Sequence, residues 1–450
     1  MRVAELGSRR IAVWGLGREG RAAINLLHQR HPECCLVLLD DAADARPPDG
    51  IGADIECAFG AERIVHAIKD VDVIVKSPGV SLYRHEIQAA RGRGVKITSL
   101  LNLWFAKKPE ITTICVTGTK GKSTTASLIA HILKKLDARV ALVGNIGVPI
   151  TEIDRATRFA VIEVSSYQAA DFDGLCDVAV LTSLYPEHLD WHLSVENYFR
   201  DKIHLLNHSQ CRIINRETTE MAERFGLTTG PSYLFNDQSR IHYCDIQILD
   251  GSEVIGEVRN PYLARAHNMS NLCAALAVAK SLGLEIRAAL AAASGFRSLP
   301  HRQEELGEVE GVLFVDDSIS TIPESTLSAL AVYAGRAITL IVGGYDRGID
   351  YGKLVQAITA GAAKAVICLG DSGKRIYSLA QSLANGRSGQ TCPIHEAKSM
   401  AEAVSLALRL TPSGGVVLLS PAAPSYGTYR DYIERGEDFA SKAGLARARA

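Results

Sequence analysis

A glycine-rich turn that carries a lysine follows an apolar run near residue 116 of this chain. The run Ile111–Val116 is rich in β-branched residues and predicts a buried strand. The segment Gly118–Ser123 comes next, and a helix is predicted to begin near Lys122. Glycines let the backbone fold so that its N–H groups face inward, and the helix adds the positive end of its dipole. A strand, such a turn and a helix together predict a site for a nucleoside triphosphate.

The turn is shorter than the full phosphate-loop pattern, because Val116 stands where the first glycine of G-x-x-x-x-G-K-[ST] would be. A plain structural turn is therefore the alternative interpretation. In the nucleotide interpretation Lys122 supplies a mobile positive charge and the hydroxyl of Ser123 binds Mg²⁺. The predicted nucleotide-binding residues of the turn are Gly118, Thr119, Lys120, Gly121, Lys122, Ser123 and Thr124.

Composition favours a soluble enzyme over a nucleic-acid binder. The 450 residues suffice for about three domains of ~150 residues. The 49 Lys and Arg residues nearly balance the 50 Asp and Glu residues, which argues against a nucleic-acid partner. Ten cysteines without a C-x-x-C pair predict reduced thiols. The charged start and the lack of a long apolar window predict a cytoplasmic protein that does not insert into a membrane, and we expect a monomer.

Short apolar strands alternate with helix-like stretches such as Arg18–Arg30, which is typical of parallel α/β sheets. Breaks at Lys107–Pro109 and Ser298–Pro300 suggest two linkers. We therefore predict an α/β fold of three domains in series: Rossmann-like at 1–108, a central phosphate-loop domain at 109–298, and Rossmann-like again at 299–450. The other predicted strands are Arg10–Trp14, Cys35–Leu39, Val71–Val75, Arg139–Val143, Phe159–Val164, Val178–Leu181, Val312–Asp316, Ala337–Val342, Ala365–Cys368 and Gly415–Leu419.

A second glycine pattern follows the first strand. Gly15–Gly20 is a complete G-x-G-x-x-G, and Asp40 ends the next strand, which alone predicts NAD. We favour a UDP-linked sugar instead, because any diphosphate fits glycine amides at a helix N-terminus and the chain already carries a triphosphate turn. A structural turn is the third interpretation. The predicted substrate residues are Gly15, Gly17, Gly20 and Asp40, with the loop of Ser77, Pro78 and Gly79, whose amides would face the same diphosphate.

Three more side chains of the middle block are candidates for chemistry. Glu163 ends an apolar strand, where acidic residues of phosphate-loop enzymes commonly reach the metal. His188 lies in a loop beyond the strand that ends at Leu181, and Lys202 lies in the helix-like segment Val195–Leu206. Taken alone, a loop histidine and a helical lysine are ordinary surface residues, so position by itself does not select them.

Seven short motifs occur in order along nearly the whole chain: Gly118–Thr124, Gly144–Gly147, Glu163–Gln168, Glu187–Asp190, His267–Asn271, His301-Arg302 and Asp317-Ser318. Their set and order resemble those of the Mur ligases, ATP-dependent enzymes that build the peptide of the bacterial cell-wall precursor. The first domain and the ending Leu419–Ala422, Ser425 and Arg435–Phe439 are most similar to the branch that adds glutamate to UDP-N-acetylmuramoyl-L-alanine.

The resemblance implies a role for each candidate. Lys122 and the turn amides would hold the β- and γ-phosphates of ATP, and Ser123 and Glu163 would bind one Mg²⁺. His188 and Lys202 would serve a second Mg²⁺, Lys202 as a carbamate, whose anionic oxygen suits a hard cation. Asn145 would line the acyl-phosphate site. The resemblance also implies Asn268, Asn271, Arg302 and Asp317 at the nucleotide, and Thr321, Arg347, Ser425 and Tyr432 at the glutamate.

The amino-acid segment departs from that branch. Ile319 stands where lysine is usual, and Arg347 stands near the place of another lysine. An alkyl group and a planar guanidinium clamp a dicarboxylate differently from two ammonium groups. This version resembles a related subfamily that adds L-glutamate, so we favour L- over D-glutamate. D-glutamate addition, ligation to folate or another carboxylate acceptor, an NAD-dependent oxidoreductase and a nucleotide switch without ligation are the alternatives.

Overall fold

The computed structural model describes residues 1–48, 55–107, 110–137, 139–145, 150–384 and 392–445. Two sheets lie in the unit Met1–Phe296, and a third lies in the unit Arg297–Ala450. Lys108 and Pro109 of the first predicted linker lie outside the described residues, as do Ile146 and Gly147 of one motif.

The first sheet is parallel, with the strand order β3-β2-β1-β4-β5. Alternate residues of its central strand enter two different cores, Ile11 and Val13 on one face and Ala12 and Trp14 on the other. The turn after β1 lies where the strand order reverses, which is the ligand-binding position of such sheets. The elements are β1 (Arg10–Trp14), α1 (Arg18–Arg30), β2 (Cys35–Asp40), β3 (Glu56–Phe59), α2 (Ala61–Ala67), β4 (Val73–Lys76), α3 (His85–Gly92), β5 (Lys96–Thr98) and α4 (Leu100–Phe105).

The central sheet has nine strands in the order β14-β13-β12-β11-β10-β9-β6-β8-β7. The strands from β7 to β12 are parallel, and β12, β13 and β14 continue as an antiparallel meander. The elements are β6 (Thr112–Thr117), α5 (Lys122–Leu136), β7 (Val140–Gly144), β8 (Phe159–Glu163), α6 (Ser166–Ala169), β9 (Cys176–Leu181), α7 (Leu189–His192), α8 (Val195–Asn207), β10 (Ser209–Asn215), α9 (Thr219–Arg224), β11 (Ser232–Phe235), β12 (Ile241–Cys244), β13 (Gln247–Asp250), β14 (Glu253–Glu257), α10 (Ala266–Ser281) and α11 (Ile286–Ala293).

The third sheet has the order β15-β16-β20-β17-β18-β19, and β15 is its antiparallel edge strand. Its elements are β15 (Glu304–Val309), β16 (Val312–Asp316), α12 (Pro323–Val332), β17 (Ile338–Gly343), α13 (Gly352–Ala357), β18 (Ala365–Leu369), α14 (Gly370–Ala384), β19 (Ile394–Glu396), α15 (Met400–Leu410), β20 (Val416–Leu419) and α16 (Tyr432–Lys442).

The structure confirms the predicted α/β class and places a strand at each predicted apolar run, with shifts of one or two residues at the ends. The antiparallel strands β12–β15 are the main addition, since the sequence predicted only parallel sheets. Their residues are largely half-buried or exposed, so they lack the continuous apolar run of a central strand. Among the described residues, no helix combines the length and apolar character that crossing a lipid bilayer requires.

Candidate active site

The turn between β6 and α5 is held by close contacts at its two glycines. Gly118 has φ of 142° and Gly121 has φ of 84°, values that favour glycine. A Cβ on Gly118 would lie 2.1 Å from Thr182 Oγ1, and one on Gly121 would lie 2.4 Å from Asn271 Oδ1. The turn is therefore fixed between the end of β9 and the first turn of α10, with α5 beginning at Lys122 as predicted.

Lys122 folds back over this turn. Its Nζ donates to the carbonyl oxygens of Gly118 at 2.9 Å and Thr119 at 2.8 Å. Ser123, the next residue of α5, is buried. The turn thus brings a positive charge and a hydroxyl together at the positive end of a fifteen-residue helix, which is the composition of a phosphate site.

Glu163 ends β8, directly beside the strand that precedes this turn. Only 1% of the residue is exposed, and its Oε1 accepts a hydrogen bond from Asn145 Nδ2 at 3.0 Å. Its Oε2 is buried and makes no hydrogen bond to the described part of the chain. A buried carboxylate oxygen without a donor is costly unless a cation completes it, so the residue fits a divalent metal ligand.

Lys202 approaches the same turn from α8. It is fully buried, and its Nζ donates to Gly118 O at 2.7 Å. Burial, and secondly the charge of Lys122, hold the pKa of Lys202 well below its usual range, while the nearby Glu163 and Glu187 oppose the shift. A lowered pKa raises the fraction of neutral amine, which is the form that reacts with CO₂ to give a carbamate.

His188 directly precedes the short helix α7, with φ of 55° and a side chain that is 45% exposed. Burial of its ring lowers its pKa, against the opposing effect of Glu187, so the imidazole is mainly neutral near pH 7, the form that binds metals. Lys120, one of the predicted nucleotide-binding residues, forms an ion pair with Glu187, Nζ to Oε1 at 2.6 Å. That pair joins the turn to the loop that carries His188.

The four side chains to which the resemblance assigns the chemistry, Lys122, Glu163, His188 and Lys202, therefore lie around one turn. Lys122 and Lys202 both donate to Gly118 O, and β8, which ends at Glu163, pairs with the strand before the turn. The ion pair of Lys120 with Glu187 holds the residue before His188 against the same turn. They come from the ends of β6 and β8, the loop after β9, and α8, all at the carboxyl edge of the central sheet.

A buried hydrogen-bond network beneath this cluster was not predicted. His192 Nδ1 lies 2.6 Å from Asp201 Oδ2, and its Nε2 lies 3.0 Å from Ser166 Oγ. The hydroxyl of Tyr83, from the first sheet's side, lies 3.1 Å from both carboxylate oxygens of Asp201. His192 of α7 thus links Ser166 of α6 to Asp201 of α8, and Asp201 directly precedes Lys202. Tyr83, Ser166 and the pair of His192 and Asp201 come from separate parts of the chain, and no local motif marks them as a group.

Asn268 and Asn271 lie buried in the first two turns of α10, and their side chains form hydrogen bonds within the protein. Asn271 Oδ1 accepts from Thr125 Oγ1 at 3.1 Å, and its Nδ2 donates to Asn268 Oδ1 at 3.2 Å. Asn268 Nδ2 donates to the carbonyl oxygen of Tyr262 at 2.8 Å. Asn271 therefore supports the turn directly and Asn268 supports Asn271, and the expected contact of both with the nucleotide stays a prediction.

The turn Gly15–Gly20 has the geometry of a diphosphate cradle. A Cβ on Gly20 would lie 1.8 Å from Gly15 O, whereas Gly17 has open space around it, so a ligand can approach its backbone. Asp40 Oδ2 accepts from Leu16 N at 2.8 Å and thereby shapes the turn.

The expected amides of the neighbouring loop are engaged within the protein. Ser77 N donates to Trp14 O at 2.8 Å, Val80 N donates to Ser77 O at 3.1 Å, and Pro78 has no N–H. Ser77 and Pro78 therefore offer no free amide to a diphosphate, and the expected contact of this loop with the substrate stays a prediction. The Ser77 hydroxyl instead donates to Gly15 O at 2.6 Å, which links the loop to the cradle.

The second unit holds its predicted residues at the carboxyl edge of the third sheet. Asp317 is buried, which raises its pKa to about 6, and its Oδ2 accepts from Ser320 Oγ at 2.5 Å and Ser420 Oγ at 2.7 Å. Arg347 Nη2 donates to Thr321 O at 3.0 Å. Arg302 lies at the start of this unit, just before β15.

The remaining predicted residues of this unit lie near one buried arginine. Ser425 is buried, and Tyr432 begins α16. Arg435, which the sequence did not single out as a site residue, donates from Nη2 to Ser318 O at 2.8 Å and Ala423 O at 3.0 Å. It thereby joins the two segments that contain Thr321 and Ser425.

Three family models match the chain. The description "Mur ligase MurD-like, N-terminal domain" matches residues 9–99, "Mur ligase middle domain" matches residues 116–279, and "Mur ligase, glutamate ligase domain" matches residues 301–423. Together the three matches cover most of the chain.

Curated relatives and solved structures agree with these matches. Proteins of Xanthomonas axonopodis pv. citri and a Micromonospora species, both named UDP-N-acetylmuramoyl-L-alanine--L-glutamate ligase, are 39% identical over 99% and 98% of this chain and 97% of their own length. The structure of UDP-N-acetylmuramate-alanine ligase MurC from Thermotoga maritima is similar in fold, with a TM-score of 0.60, 19% identity and coverage of 97% of this chain and 99% of that chain. MurF from Acinetobacter baumannii gives a TM-score of 0.60 at 16% identity, covering 98% of this chain and 92% of that one.

Proposed function

This chain belongs to the Mur ligase family, and on that premise we propose that it ligates glutamate to UDP-N-acetylmuramoyl-L-alanine with ATP as the energy source. The observation that carries the proposal is the buried Glu163 Oε2, which has no hydrogen-bond partner in the described part of the chain and lies near the phosphate turn, where Lys122 and the buried amine of Lys202 both donate to Gly118 O. A phosphate turn with an adjacent metal ligand and a lysine of lowered pKa supports phosphoryl transfer better than hydride transfer.

The proposed chemistry joins a carboxylate to an amine in two steps. The alanyl carboxylate of the UDP substrate attacks the γ-phosphorus of ATP, releasing ADP and forming an acyl phosphate. The free amine of glutamate then attacks the acyl carbon, and the tetrahedral intermediate expels inorganic phosphate and leaves an amide. Lys122 and the turn amides stabilise the charge that develops during phosphoryl transfer.

We assign the metal ligands to the same cluster. Ser123, Glu163, His188 and Lys202, the last as its carbamate, would hold Mg²⁺, which supplies charge neutralisation between the attacking carboxylate and the triphosphate. The donor set of hydroxyl, carboxylate, imidazole and carbamate oxygen fits a hard cation, and Glu163 Oε2 is the buried oxygen that such an ion completes. Asn145 would then position both Glu163 and the acyl phosphate.

The remaining predicted residues divide between the substrates. We propose that Gly15, Gly17 and Gly20 receive the UDP diphosphate, and that Thr321, Arg347, Ser425 and Tyr432 receive the glutamate. Arg302 and Asp317, with Asn268 and Asn271, are proposed for the nucleotide. We also propose the domain bounds 1–108, 109–298 and 299–450 for these three tasks.

We propose L-glutamate as the amino acid that this enzyme adds. The two curated relatives described above are named as ligases that add L-glutamate. Ile319 adds no charge to the pocket, and Arg347 supplies a guanidinium fork for a carboxylate. The pocket of this chain therefore differs in charge and shape from a pocket that uses two lysines.

A single assay tests substrate and handedness together. Phosphate release is measured with ATP, Mg²⁺ and UDP-N-acetylmuramoyl-L-alanine against a panel of amino acids that includes both glutamate enantiomers, and the amide product is identified by mass spectrometry. We expect release and product with L-glutamate only. Turnover with D-glutamate alone would reverse the handedness, and phosphate release without any amide product would overturn the ligase assignment.

A further inference from the structure

The turn Gly15–Gly20 contacts the part of the central sheet that carries Glu163 through Arg18 and Glu19, two of the three positions that its glycine pattern leaves open. Arg18, the first residue of α1, donates from Nη2 to the carbonyl oxygens of Gly144 at 2.7 Å and Asn145 at 3.2 Å. Glu19 accepts at Oε1 from Gln168 Nε2 at 2.6 Å. These bonds join residues more than one hundred positions apart, so the turn is fixed to the end of β7 and to α6 as well as to its own sheet.

Of these partners, Asn145 contacts Glu163 directly, whereas Gln168 contacts Ser165, two residues after it. Asn145 donates from its amide N to Glu163 O and from Nδ2 to Glu163 Oε1, each at 3.0 Å. Gln168 closes the capping box of α6, because its Oε1 accepts from Ser165 N at 2.9 Å. Gly144 permits the sharp turn before Asn145, with φ of 99° and no room for a Cβ against Glu163 O. Glu163 is thus held on one side by Asn145, whose backbone Arg18 holds in turn.

We propose that Arg18 is a positioning residue that couples the UDP-substrate site to the nucleotide–metal site. The inference rests on the proposed function. A diphosphate bound to the turn amides orders the backbone that carries Arg18, and Arg18 fixes Gly144 and Asn145. Asn145 then holds Glu163 Oε1 so that Oε2 faces the cation. Because coupling between two ligands is reciprocal, the UDP substrate tightens the binding of magnesium nucleotide by the same factor as the nucleotide tightens the binding of the substrate.

Calorimetry measures this coupling directly. The affinity for β,γ-methylene-ATP with Mg²⁺ is determined with and without UDP-N-acetylmuramoyl-L-alanine for the unaltered enzyme, Arg18→Ala and Arg18→Lys. Arg30→Ala is the matched control, since Arg30 is exposed at the other end of the same helix. We expect the UDP substrate to tighten nucleotide binding about tenfold in the unaltered enzyme and in Arg30→Ala.

Arg18→Ala should lose most of that factor, and Arg18→Lys, which keeps a charged donor, should retain part of it. The Mg²⁺ concentration that gives half-maximal phosphate release should rise in Arg18→Ala, a change that a merely structural role would not produce. Thermal unfolding establishes whether the variants are folded. If Arg18→Ala does not fold, the coupling measured for Arg18→Lys decides whether Arg18 has the proposed role.

Two results would overturn the inference. Unchanged tightening in Arg18→Ala excludes the coupling role. Weaker UDP-substrate binding in the absence of nucleotide, with an unchanged Mg²⁺ requirement, makes Arg18 a direct ligand of the diphosphate. Failure of the proposed function is distinguishable from both, because the unaltered enzyme would then release no phosphate with its substrates.

Discussion

Replacing Glu19 by glutamine should change how the stability of the first unit depends on pH. Glu19 lies in a polar group with Gln168, Lys76 and Asp171 between the first sheet and α6, and Lys76 and Asp171 form a buried ion pair at 3.3 Å. Burial raises the pKa of Glu19 from 4.5 to about 7, against the attraction of Arg18 and Lys76. Glutamine keeps the shape and still accepts from Gln168 Nε2, but it cannot ionise.

The sign follows from proton uptake. Between the unfolded pKa of 4.5 and the folded pKa of about 7, the folded protein holds a proton that the unfolded chain has lost. The free energy of unfolding therefore falls as the pH rises through this window, and the proton-linked stabilisation is gone above it. From about pH 5.5 to about pH 8 this group alone lowers the free energy of unfolding by about 2 kcal/mol. Because Glu19→Gln lacks this loss, its free energy of unfolding relative to that of the unaltered protein should rise by about 2 kcal/mol over the same pH range.

Tryptophan fluorescence can follow this change selectively. The three tryptophans, Trp14, Trp104 and Trp191, are all buried in the first unit, so a denaturant titration of their emission reports its unfolding. Titrations at the two pH values compare the unaltered protein, Glu19→Gln and the control Glu62→Gln, which removes an exposed acid of α2. The reasoning fails if Glu19→Gln and the unaltered protein keep the same difference in unfolding free energy at both pH values.

Three other substitutions give direct tests of the site. Lys122→Ala should abolish phosphate release and leave calorimetric binding of the UDP substrate nearly unchanged, and normal turnover would contradict its role at the phosphates. Lys202→Ala should be inactive and regain part of its turnover with added acetate or formate if an anionic oxygen is needed there; no restoration by either acid would count against the carbamate. Gly121→Ala should lower the free energy of unfolding by about 1–3 kcal/mol in a denaturant titration, because its φ is 84° and its Cβ would meet Asn271 Oδ1 at 2.4 Å. An unchanged unfolding midpoint would show that the turn has room to adjust.

The sequence predicted the central strands and the helices beside them because their signals are local. The bounds Arg10–Trp14 and Arg18–Arg30 agree with the structure, and the phosphate turn lies between its strand and helix as expected. Short or edge strands such as β3, β5 and β19 have three or four residues with mixed burial, so they carried no periodic signal. The strands β12–β14 also have mixed burial and no periodic signal. They are extended because they form hydrogen bonds with neighbouring strands.

Some features of the candidate site could also be predicted from local sequence patterns, whereas others depend on contacts between distant parts of the chain. The glycines at 15, 20, 118 and 121 could be read from sequence, because a turn that needs positive φ or a close approach restricts its own residues. The chemistry of Lys202 could not, since a lysine on an amphipathic helix is ordinary until packing buries it beside Gly118 O and Lys122 lowers its pKa. Arg18 and Glu163 each belong to a motif that the sequence shows. The hydrogen bonds that connect them through Asn145 form only after the first and central sheets have folded against each other. Short-range steric rules act along the chain, whereas burial and charge proximity depend on residues that the chain brings together from far apart.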